Sequence, residues 1–139
     1  PLRIVNAMHP CSPRSFVVVV MLAALLAGCA VAPQGGLSEV MQRPAERALL
    51  AGLRAYDDGQ YTEAERELGK ALAAGLVSAK DRAAAHKHLA FVYCTSQRVA
   101  ACTDAFRAAR AADPEFALSR AEAGHPLWGP VYKRVAASP

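Results

Sequence analysis

From residue 44 onward the apolar positions recur with the period of a helix. In the stretch RAAAHKHLAFVYCTSQRVAACTDAFRAARAADPEF, residues 82–116, Leu89, Ala90 and Tyr93 share one face of a first helix. Cys102, Phe106 and Ala109 share one face of a second, which Asp113-Pro114 stops. The upstream stretch RALLAGLRAYDDGQYTEAERELGKALAAG repeats the pattern at an offset of 38 residues. Gly52 falls on Ala90, Tyr61 on Val99, Ala64 on Cys102, Leu68 on Phe106 and Ala71 on Ala109. In this plainer copy Gly52 lets two helices approach, Gly59 turns the chain, Tyr61 and Ala64 open the second helix, and Ala71-Leu72 close it.

Four helices follow from the pattern. The first starts at Pro44, where a missing N–H costs nothing, and runs to about Asp57. After Asp58-Gly59 the second opens with Thr62, Glu63 and Glu65, polar and negative groups that oppose the helix dipole. Ser78 and Asp81, spaced S-x-x-D, start the third, whose apolar face is Ala85, Leu89, Val92 and Tyr93. The fourth runs from about Arg98 to Ala112. The tail AEAGHPLWGPVY, residues 121–132, sets the only tryptophan among Gly124, Pro126, Gly129 and Pro130. Two readings are compatible there: a cap in which Leu127, Trp128 and Val131 cover the fourth helix, and a preorganised aromatic contact for a partner.

This spacing resembles the tetratricopeptide (TPR) repeat. That repeat is about 34 residues long, so four extra residues fall in the connection at 74–80. The fold class expected is all-α: TPR-like antiparallel helix hairpins in two repeats plus a C-terminal capping segment, over residues 44–136. No strand signal of useful length follows Cys29.

With 139 residues, 53% of them hydrophobic, there is room for one domain, and part of the apolar content lies outside its core. Residues 16–28, FVVVVMLAALLAG, form an uncharged run too short for a stable membrane helix, preceded by Arg3 and Arg14 and ending at Cys29. This is the layout of a secretion signal. Leu26-Ala27-Gly28-Cys29 resembles the bacterial lipobox, which implies cleavage after residue 28 and acylation of Cys29. Residues 1–28 are therefore expected to be a signal peptide and residues 29–43 a lipidated N-terminus and flexible linker, AVAPQGGL being uncharged and rich in Pro and Gly. Residues 38–43 are expected to add a helical turn. Two or more acyl chains hold a protein stably at a bilayer. Ala30 is not the aspartate that retains such lipoproteins at the inner membrane, so resemblance favours an outer-membrane anchor facing the periplasm.

Loss of residues 1–28 removes two arginines and no acid, leaving 14 of the 16 basic side chains against 12 acidic ones. The sequence pI of about 9.1 then gives no electrostatic reason to invoke nucleic acid. Of four cysteines, Cys11 leaves with the signal and Cys29 takes lipid. Cys94 and Cys102 remain as an even pair in an oxidising compartment, flanking a hairpin turn where antiparallel helices come within the ~7 Å Cα separation that a disulfide needs. A bond between them is expected; the alternative is that Cys102 only fills the small-residue slot of Ala64. His86 and His88 point to different faces of a helix and His125 is distant, so no metal site and no cofactor are expected. No nucleophile–base pair or paired carboxylates argue for catalysis, which sets an enzyme acting on peptidoglycan behind a binding role.

The segments HKHLAFVYC, C-x3-F at Cys102 and Phe106, DPEF and AEAGHPLWGPVY resemble the TssQ-type lipoproteins associated with bacterial type VI secretion, over residues 47–132 together with the lipobox. The resemblance implies an accessory, non-catalytic component on the periplasmic face of a membrane, with envelope proteins of a secretion machine as partners and no small-molecule substrate. A pilotin or outer-membrane assembly lipoprotein is the alternative. On the TPR reading, candidate partner contacts are Arg54, Asp57, His86 and Lys87 on the first helices, and His125 and Trp128 in the tail.

Overall fold

The computed structural model describes residues 43–138. The expected signal peptide, Cys29 and the expected linker lie outside the described residues, as does the turn expected over residues 38–43 apart from Arg43. Six helices follow: α1 (Pro44–Asp57), α2 (Tyr61–Ala73), α3 (Ala79–Thr95), α4 (Val99–Ala112), α5 (Arg120–Ala123) and α6 (Gly129–Ala136). Among the described residues there is no strand. α1 pairs antiparallel with α2 and α3 with α4, and α3 lies against α2 and α1. The all-α hairpin architecture and the four main helices are as the periodicity implies.

The two hairpin turns share one backbone structure. Gly59 has φ +73° and Gln97, 38 residues later, φ +61°. Gln60 and Arg98 follow at φ −85°, ψ 65° and φ −85°, ψ 66°. Gly59 N–H donates to Tyr56 O (3.0 Å) and Gln60 N–H to Ala55 O (2.8 Å); Gln97 N–H donates to Cys94 O (3.1 Å) and Arg98 N–H to Tyr93 O (2.8 Å). Each pair satisfies carbonyls that the end of a helix leaves open, and each requires a left-handed residue. Beyond the turns, the 38-residue register carries into the core, where Ala64, Leu68 and Ala71 and their counterparts Cys102, Phe106 and Ala109 are all fully buried. At Gly52 a Cβ would stand 2.7 Å from Leu68 Cγ, so the absent side chain sets the α1–α2 approach.

Repeat-equivalent positions also show how the stack ends. Ala85, Leu89 and Val92 of α3 are buried, whereas Arg47, Ala51 and Arg54 occupy the same positions on α1 and are exposed. No hairpin precedes α1 among the described residues, and a polar outer face is what a terminal repeat needs. Between the hairpins, the Arg98 guanidinium reaches Glu65 with two hydrogen bonds (3.0 and 2.6 Å) and lies 4.5 Å over the Tyr93 ring. That bond is the main cause of a Glu65 carboxyl held below the usual range. The surplus residues of the α2–α3 connection form a loop anchored by buried Leu76, with Gly75 at φ +85°. Ser78 caps α3 by accepting from Asp81 N–H at 3.2 Å.

Two expectations need correction. The apolar face of α3 is wider than Ala85, Leu89, Ala90, Val92 and Tyr93: Ala83 and Phe91 are also buried and Tyr93 only half so. α3 has neighbours on several sides, so a single stripe does not describe it. In the tail, Leu127 is 51% exposed and Trp128 lies on Phe91 of α3, not on α4. The cover on α4 comes from α6, through Tyr132 against Phe106 (5.3 Å) and buried Val131 and Val135. Arg110 of α4 donates to Val135 O at 2.6 Å, placing a cation at the carbonyl end of α6.

Cys94 and Cys102 are joined by a disulfide (Sγ–Sγ 2.12 Å, Cα–Cα 5.2 Å) across the second turn. The first hairpin makes the same turn with Tyr56 and Ala64 in those places, so the bond stabilises the geometry and does not create it. Closing so short a loop is worth about 2–3 kcal/mol in the chain-entropy model. Denaturant titration with and without reductant should show a stability loss of that size with unchanged far-ultraviolet circular dichroism. The left-handed residues give a second outcome. Gln97→Gly should raise stability by about 1 kcal/mol and Gly59→Ala lower it by about 1 kcal/mol, since only glycine holds φ > 0 without a Cβ penalty.

Candidate functional site

Lys87, His88, Glu122, His125 and Trp128 gather where the tail meets α3. α5 exists because Ser119 and Glu122 form a reciprocal capping box: Glu122 N–H donates to Ser119 Oγ (3.2 Å) and Ser119 N–H to the Glu122 carboxylate (2.8 Å). The same carboxylate accepts from Lys87 Nζ of α3 at 2.7 Å. The Glu122 carbonyl accepts from Trp128 Nε1–H at 2.9 Å and from His125 N–H at 3.1 Å. One residue thus pins the tail to α3 and aims the indole.

The indole is stacked on Phe91, ring centroids 4.3 Å apart and planes 26° from parallel. On the tail side, the His125 ring stacks with it at 3.4 Å. His125 Nδ1 accepts from Leu127 N–H at 3.2 Å, a role open only to a ring unprotonated at that nitrogen. Gly129 closes the turn; a Cβ there would lie 2.5 Å from Ala123 O, so no larger residue fits without moving backbone. Phe91 in turn meets Phe106, Tyr56 and His88, and Tyr56 extends the cluster to Tyr61, which is 40% exposed.

Electrostatics follow burial. Burial pushes the Glu122 carboxyl upward, but hydrogen bonds from Lys87 and Ser119 outweigh it and hold the group below the ordinary range. Burial is also the largest influence on His88, which is pushed below the usual imidazole range; Lys87 adds to this, while the Ala84 carbonyl, Glu122 and Asp57 oppose it. His88 Nδ1 lies 2.7 Å from Ala84 O and its ring meets Tyr56 edge-on at 5.1 Å. Burial lowers His86 as well.

Of the six partner-contact residues read from the sequence, the structure brings Lys87, His125 and Trp128 together and leaves the others apart. Trp128 is buried and Lys87 is paired within the chain, so what this cluster presents outward is His125, Leu127 and Tyr61. His86 lies on another side of α3, in a groove of about 370 Å³ with Leu89, Tyr93, Ala101, Asp104, Ala105 and Ala108. Arg54 stands on the polar end face, and Asp57 is exposed at the end of α1. Glu122, Tyr56 and Phe91 were missed. For Glu122 a signal was present, S-x-x-E at residues 119–122. Among the described residues no group of three or more His, Cys, Asp or Glu could hold a metal ion, and no helix is long and apolar enough to cross a membrane. Comparison of the chain with protein-family models, curated proteins and solved structures gives no match.

His88 gives the cluster a pH dependence of fixed sign. Its imidazole binds protons less readily folded than unfolded, so the unfolded chain takes up more protons as pH falls below about 6.5, the ordinary value, and stability declines in that direction. The loss continues until the folded value is passed. Urea midpoints between pH 7.5 and 5 should fall, and His88→Leu should flatten that slope. An equal slope in the variant would assign the effect elsewhere.

Proposed function

We propose that the protein is a non-catalytic, lipid-anchored adaptor of the TPR type, an accessory component of a type VI secretion system held on the periplasmic face of the outer membrane. The observation that carries this reading is a pair of hairpins with superposable turns, downstream of a lipobox-like Leu26-Ala27-Gly28-Cys29. Stacked hairpins offer extended surfaces suited to peptides and helices. The side chains at the tail seam are engaged in holding one another, which suits a rigid scaffold. On this reading the partner is another envelope protein, bound by shape and aromatic contact near Tyr61, His125 and Leu127, with no cofactor and no small-molecule substrate.

Metabolic labelling with palmitate, combined with cross-linking and purification from membranes, tests it. The wild-type chain should carry label, fractionate with outer membrane and retain type VI secretion proteins, whereas Cys29→Ala should lose label and membrane attachment. Retention of a secretin would favour the pilotin alternative. An unlabelled protein found in the cytosol would overturn the reading.

A further inference from the structure

Antiparallel pairing puts the start of α1, the end of α2 and the start of α3 at one end of the stack, away from the two hairpin turns. Pro44, Arg47, Lys70 and Ala74 line one shallow groove there. The α2–α3 loop lies at the same end and carries Val77, the most exposed large apolar side chain among the described residues at 77%. Val77 is held outward. Leu76 beside it is buried, and Arg82 donates to the carbonyls of Leu76 (2.9 Å) and Val77 (2.7 Å). Lys80 follows, exposed.

Exposed basic side chains gather at this end. At this end Arg43, Arg47, Lys70 and Lys80 are exposed. Its acids are Glu46, buried and 3.9 Å from Arg43; Glu67, half-buried and bonded to Lys70; Asp81, half-buried in the first turn of α3; and, just past the end of α4, half-buried Asp113 and exposed Glu115. At the turn end Arg54, Asp57 and Asp58 are exposed. Hairpin packing requires neither feature of the tether end. Arg47 stands where α3 has buried Ala85, and the Val77 loop holds the residues in excess of the usual repeat length. The described domain also begins here, 13 residues after Cys29 (residues 30–42), a span of at most about 45 Å when fully extended.

We propose that this end of the stack is a second membrane contact, docking on anionic phospholipid headgroups through Arg47, Lys70 and Lys80, with Val77 entering the interface. It rests on the reading that acylated Cys29 brings the chain to a bilayer, and it adds an orientation: helix axes steep to the membrane, with the two hairpin turns and the exposed Tyr61 directed away. One acyl signal plus a basic patch is a general arrangement for peripheral proteins, each cation adding roughly a fivefold gain in partition near an anionic surface.

The test removes the acyl group. The mature chain from residue 29, carrying Cys29→Ser, is sedimented with vesicles of phosphatidylglycerol and phosphatidylethanolamine in equal parts, and with phosphatidylcholine vesicles as the neutral control. Binding to the anionic vesicles alone is expected, released by about 0.5 M salt. Arg47→Gln with Lys80→Gln should cut partition about tenfold or more, and Val77→Ser several-fold. Lys133→Gln with Arg134→Gln, on α6, should change it little. Circular dichroism checks that each variant is folded. No binding, equal binding to neutral vesicles, or an equal loss in the α6 variant would overturn the proposal. Because this protein is not acylated, such a failure leaves the assignment of Cys29 standing, and a failure of palmitate labelling is read independently of it.

Discussion

The ring of Phe91 is the point on which the described domain converges. It meets Tyr56 of the first hairpin, Phe106 of the partner helix and Trp128 of the tail, with the Lys87 ammonium 5.7 Å from its centre. Aromatic pairs at such separations add to the burial of their own area, so one side chain couples three layers that are distant in sequence. A two-hairpin stack has a small core, and without the tail its second hairpin would present Phe91 and Phe106 to water. The tail supplies the apolar counterpart of a third repeat in far fewer residues.

Much of this was legible in the sequence because the hairpins obey local rules. The small residues at Gly52, Ala64 and Ala71 sit where helices touch, and a 38-residue offset that matches them also matches the two turns, a left-handed residue followed by one of the same φ and ψ to within a degree. The environment changes between the two copies. A single apolar stripe suits a helix with one wet side; α3 has little, and Phe91 lies off the stripe that its spacing predicts. Likewise Arg54, exposed on α1, has the buried Val92 as its repeat equivalent, which identifies the position with the end of the stack. The seat of Trp128 on α3 is not legible locally, because nothing in HPLWGP says where the chain folds back; that depends on Glu122 meeting Lys87 across 35 residues.

Polar groups in this domain mostly fix position. Arg98 holds the second turn to α2, Arg110 holds the end of α6, and Lys87 holds α5, each reaching a partner far along the chain. The exposed i,i+3 pairs, such as Arg107 with Asp104, contribute little by comparison, since water competes for both charges. A backbone held by cross-chain bonds of this kind leaves the aromatic seam little freedom to rearrange, in keeping with a platform whose shape is set before anything meets it.

The cross-link over the second turn has a mechanical side. A chain tugged between its two ends lengthens as its helices peel apart, and every residue released adds about 3.4 Å of slack. The bond between Cys94 and Cys102 takes the eight-residue step between them out of that reserve, roughly 27 Å of contour that cannot be drawn out while the sulfurs remain joined. Tension applied through a leash would therefore find the first hairpin the more extensible of the two, and the aromatic seam would lie beside the part that resists stretching.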